Sequence, residues 1–66
     1  MSTIFDNLIN GNLSDAKRQA KNKSMHKIYS MACEMGFEEK EALNMAAYLK
    51  GEINFQSYCD RKAKLD

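Results

Sequence analysis

Apolar residues recur along this chain at the three- and four-residue spacing of a helix, and nowhere do they alternate with polar ones. Ile28, Met31, Ala32 and Met35 form one such stripe, and Ala42, Met45, Ala46 and Leu49 form another. Val is absent and Thr occurs once, so the residues that best suit a pleated surface are missing. Gly11, Gly36 and Gly51 stand singly where each stretch would stop. The 66 residues therefore predict an all-α fold, a compact bundle of four to five short helices in one domain spanning 1–66.

The boundaries follow from capping chemistry. Ser2 or Thr3 can cap a first helix whose apolar side is Ile4, Phe5, Leu8 and Ile9. Asn12 or Ser14 can cap a second, with Asp15 in its first turn. On one straight helix, the Ile28 stripe would project back onto Lys17 and Lys21, leaving Ala16 and Ala20 to one side. A break near Asn22-Lys23-Ser24 removes the conflict, with Ser24 capping a helix from Met25 to Met35. Phe37 can fold back over the Gly36 stop. Glu38, Glu39 and Glu41 open the next helix, Lys50 closes it, and Asn54 caps the last. The expected core is Phe5, Leu8, Ile28, Met31, Met35, Phe37, Leu43, Met45, Leu49, Ile53, Phe55 and Tyr58. Cys59 and Leu65 are also placed facing inward.

Charge and length exclude several classes. The net charge of +1 is too small for a protein that coats nucleic acid by bulk electrostatics. No apolar run approaches a membrane span, and the first residues lack a signal-peptide pattern, so a cytoplasmic protein is expected. Two cysteines, Cys33 and Cys59, are too few for a disulfide scaffold and read as reduced, buried thiols. The charge is nonetheless segregated. Lys17, Arg18, Lys21, Lys23 and Lys27 form a basic stretch, followed by Glu34, Glu38, Glu39 and Glu41.

Groups for catalysis do not converge. The one histidine, His26, shares a helix face with Cys33, but no third orienting group accompanies them. His26, Cys33 and Cys59 lack metal-ligand spacing, and the single glycines make no phosphate-cradling loop. No enzyme activity, cofactor or metal is expected.

From Ile28 to Ala47 the apolar positions fit a helix-turn-helix with Gly36 at the turn. Its reading helix would begin Glu38-Glu39-Lys40-Glu41, and three carboxylates there repel phosphate. DNA binding would then fall to the basic stretch 17–27.

Met35-Gly36-Phe37, followed by a Glu-rich helix start and Ala42-Leu43, resembles the MGF loop of ubiquitin-associated domains. That resemblance implies Met35, Gly36 and Phe37 as residues of a hydrophobic contact patch. Leu49-Lys50-Gly51-Glu52-Ile53, Tyr58 and Arg61-Lys62-Ala63-Lys64-Leu65 are similar to the short C-terminal helical hairpin domain called SHOCT, which implies an oligomerisation or interaction module. The chain departs from that family at Gln56 and Ser57, where acids are usual. In style, the whole chain is similar to the small helical accessory proteins of bacteriophages and prophages, many of which bind one host protein.

The expectation is a small helical protein-interaction module. It would bind a host protein or a second copy of itself, and would inhibit or redirect its partner by covering it. The alternative is a DNA-binding regulator using the hairpin 28–47 and the basic stretch. Contact candidates for a protein partner are Met25, Tyr29 and Tyr48, since Met adapts to irregular surfaces and Tyr is enriched in binding hot spots. Lys17, Arg18 and Lys21 are the candidates for a polar or nucleic-acid contact.

Overall fold

The computed structural model describes residues 3–65. Five α-helices follow one another: α1 (Ile4–Ile9), α2 (Leu13–Ala20), α3 (Met25–Glu34), α4 (Glu39–Leu49) and α5 (Phe55–Leu65). The all-α expectation holds among the described residues.

Local chemistry sets most of the ends. Thr3 and Asp6 form a reciprocal capping box: the Thr3 hydroxyl accepts from the Asp6 N–H, and the Asp6 carboxylate accepts from the Thr3 N–H. Ser24 Oγ accepts from the Lys27 N–H at 3.1 Å, and Asn54 Oδ1 accepts from the Ser57 N–H at 2.8 Å. Asn12 takes the cap position of α2 without a side-chain cap bond, and Ser14 lies inside the helix. At the end of α3 the Gly36 N–H donates to Cys33 and the Phe37 N–H to Ala32. This paired closure needs the left-handed backbone of Gly36, at φ +100°. The same bond pair closes α4 through Gly51 and Glu52, with Gly51 at φ +80°.

α2 and α3 are separate helices, as the phase conflict between their apolar stripes requires. The Lys23 N–H turns back to the Ala20 carbonyl, and Lys50 Nζ from the end of α4 reaches the Ala20 and Lys21 carbonyls, 3.4 Å from each. A cation on the last carbonyls of α2 suits the negative end of its dipole. The break lets Ala16 and Ala20 turn inward independently of the Ile28 stripe, and both are fully buried.

α4 is the central element, packed against α3, α5 and α2, while α1 packs on α2. Every residue from Asn44 to Leu49 is buried. Ala32, Ala42 and Ala46 are fully buried, and such small side chains let helix axes approach closely. Phe5, Ile28 and Met45 are the largest fully buried side chains. Phe37 folds in from the α3–α4 turn, its ring 5.7 Å from that of Phe5.

Six inward-facing expectations are corrected, among them Leu65, which is 39% exposed at the end of α5. Met35, at the end of α3, and Phe55, at the start of α5, are roughly half exposed because each sits where a helix leaves the bundle. Leu43 is 50% exposed because it lies on a side of α4 that no helix covers. Cys59 is exposed rather than buried, on the outer side of α5. Ile9, expected on the apolar side of α1, is exposed at that helix's last turn. Met31, Phe37 and Ile53 are half-buried against the core.

Gly51 tests the end of the central helix. A Cβ there meets nothing within 4 Å, so only backbone strain opposes it. Gly51→Ala is expected to destabilise the fold by about 1–2 kcal/mol, read as a lower urea midpoint at unchanged slope.

Candidate functional site

An open groove of about 430 Å³ runs along α4 and α5. α5 runs antiparallel to α4, since Phe55 meets Tyr48 while Tyr58, further along α5, meets Asn44, earlier on α4. The short 50–54 connection enforces this direction. The groove lies between the N-terminal half of α4 and the C-terminal half of α5, with Met25 reaching in from the start of α3. Met25, Leu43, Ala47 and Leu65 form its apolar surface, and Leu43 and Leu65 remain 50% and 39% exposed. Lys40 on α4 and Arg61 and Lys64 on α5 stand along both walls, and among the described residues no carboxylate lines the groove.

Asn44 lies in the same wall and is only 4% exposed. Its Nδ2 donates to the Tyr58 carbonyl at 3.1 Å and ties α4 to α5. Its Oδ1 is closed off from solvent with no hydrogen-bond partner. An orphaned buried acceptor costs about 1–3 kcal/mol.

The contact candidates separate in space. Met25 is half-buried and lines the groove. Tyr29 does not line it: its ring lies 6.4 Å from that of His26, and its phenol pairs with Cys33 one turn on. That hydrogen bond, then burial and the nearby Cys33 and Glu39 charges, raise the Tyr29 phenol above its ordinary range. Cys33 is half-buried, and His26 is exposed.

Tyr48 is corrected outright. It is 3% exposed, stacked on Tyr58 at 5.1 Å, met edge-on by Phe55 at 5.6 Å, and covered by Lys17 Nζ at 4.7 Å. Two other helices, α2 and α5, close over it, whereas a single stripe centred on Leu49 would leave it at the flank. Its ring is core, unavailable to a partner.

Lys17, Arg18 and Lys21 are exposed on α2. Lys17 is drawn onto the Tyr48 ring as a cation–π contact. Arg18 reaches Asp15 at 3.7 Å beside a polar hollow where Asn7 Nδ2 donates to Gln19 Oε1. The basic stretch is therefore partly engaged in internal contacts.

Leu43, Leu65, Lys40, Arg61 and Lys64 were not among the contact candidates read from the sequence, and Leu43 was expected in the core. Leu43 carries a readable signal, since it lies off the Ala42–Met45–Ala46–Leu49 stripe. The three cations are legible only as charges suited to solvated helix faces. Among the described residues, no group of three or more metal-ligating side chains comes together, and no helix is long and apolar enough to cross a membrane. No protein-family model matches the chain, and neither the curated proteins nor the solved structures compared with it gave a match.

Two predictions follow from α4 and α5. Burial, followed by the Glu41, Cys59 and Tyr48 charges, holds the Tyr58 phenol above its ordinary value of 10.0. The folded chain therefore keeps this proton more tightly than the unfolded chain. Its contribution is fully present below about pH 10 and is lost as pH rises through the higher folded value. Urea unfolding between pH 9 and about 11 should show falling stability, with a shallower fall in Tyr58→Phe. Separately, Asn44→Leu removes the orphaned acceptor while the Tyr58 carbonyl keeps its helical bond. Denaturation should find that variant more stable by about 1 kcal/mol.

Proposed function

We propose that this chain is a small protein-interaction module that engages a protein partner through the groove between α4 and α5. One observation carries the reading: Leu43 and Leu65 stand half in water beside Met25 in a single concavity, on a domain too small to leave large apolar side chains out of its core without consequence. Covering a partner's surface in this way would inhibit or redirect it without any catalytic group.

The DNA-binding alternative draws less support from the geometry. α3 and α4 do form the hairpin that a helix-turn-helix needs. A reading helix must offer a free face to the major groove. α4 is instead buried from Asn44 to Leu49, and its exposed start carries Glu38 and Glu39. The cations of the 17–27 stretch remain for phosphate, and of these Lys17 is already on Tyr48.

Affinity capture by the tagged chain separates the two. A stoichiometric protein that persists through nuclease and weakens only modestly with salt is the expected result, with loss of capture in Leu43→Asp. Material that vanishes with nuclease, falls steeply with salt and is lost on charge reversal at Lys17, Arg18 and Lys21 would establish the DNA reading instead. Circular dichroism of Leu43→Asp should match wild type, since the side chain is half exposed.

A further inference from the structure

We propose that the occupant of the α4–α5 groove is an acidic amphipathic helix belonging to a partner protein, an inference that rests on the protein-binding reading above. The apolar surface of Met25, Leu43 and Leu65 fits an apolar helical stripe. Lys40 on one wall and Arg61 and Lys64 on the other call for carboxylates on both sides of that stripe. From Lys40 to Ala47 the floor runs two helical turns, roughly 10 Å at 1.5 Å per residue. An occupant of two to three turns, with apolar residues at i, i+3 or i+4 and i+7, matches that length. The orphaned Asn44 Oδ1 in the wall is an acceptor that a hydroxyl or N–H on the occupant could satisfy once the adjacent side chains part.

Other occupants fit less well. Two copies meeting through this face would bring cations against cations. A small amphiphile needs most of its surface enclosed, but Leu43 and Leu65 leave the groove open to water. A bilayer is flat and presses on protruding side chains rather than into a cleft. A nucleic acid would answer the cations and leave the apolar floor against sugar and phosphate.

The test is a nuclear magnetic resonance titration of the isotope-labelled full chain. Its probe is a blocked helical peptide with a leucine stripe flanked by glutamates. Parallel samples use the same peptide with lysines for glutamates, phosphatidylglycerol vesicles, dodecanoate and a short DNA duplex. The acidic peptide is expected to shift amides across 40–47 and 61–65 in the wild-type chain. The lysine peptide should bind about tenfold or more weakly, a difference of about 1.4 kcal/mol. Leu43→Asp should abolish the shifts, and the triple reversal Lys40→Glu, Arg61→Glu, Lys64→Glu should invert the peptide preference. Absence of groove shifts with the acidic peptide, equal binding of the two peptides, or groove shifts produced only by vesicles, dodecanoate or DNA would overturn the proposal. Protein capture that persists in Leu43→Asp would overturn both this proposal and the groove as the binding face, whereas capture lost in Leu43→Asp without groove shifts from the acidic peptide would overturn this proposal alone. Failure of the wild-type chain to capture any protein would remove the broader protein-binding reading.

Discussion

The rest of the molecule depends on burying α4 nearly all the way round. A 66-residue chain cannot enclose a wide core, and a helix surrounded by others is the economical alternative. From Asn44 to Leu49, α4 has no face in water. Its neighbours are held to it by different physics. Fully buried alanines on α2, α3 and α4 permit close approach, the Asn44 amide grips the Tyr58 carbonyl, and Lys50 caps the carbonyl end of α2. Tyr48 joins three helices at once, stacked on Tyr58 and met edge-on by Phe55, both from α5, and roofed by Lys17 from α2.

That arrangement also explains where the surface is left unfinished. Three helices gather over the C-terminal half of α4, so its N-terminal half is covered less completely. Leu43 and Leu65 are exposed there, beside a cationic rim and a buried amide oxygen without a partner. The exposed leucines and the orphaned acceptor each cost stability on their own, and they lie side by side.

The helix ends were legible residue by residue because capping is local chemistry. Thr3, Ser24 and Asn54 cap as their side chains dictate, and Gly36 and Gly51 stop α3 and α4. The break before Ser24 was also readable, because Ala16 and Ala20 could not share a face with the Ile28 stripe. Less of the site could be read. Met25 lies in the groove, but Tyr48 proved to be core and Leu43 proved to be surface. Tyr48 was misplaced because periodicity assigns a single inward stripe to each helix and α4 has neighbours on three sides, whereas Leu43 lies off that stripe and only its hydrophobicity suggested burial.

The sequence by itself determined that this protein is helical, where its helices begin and end, and that its thiols and single histidine form no evident reactive constellation. These properties depend on side chains within a turn of one another. Only the tertiary structure decided which flank of α4 is covered, that Lys17 roofs Tyr48, and that Lys40, Arg61 and Lys64 line one groove with Met25, Leu43 and Leu65. Those facts depend on how helices distant in sequence cross one another, and the spacing of residues along a single helix does not encode the direction of its neighbours.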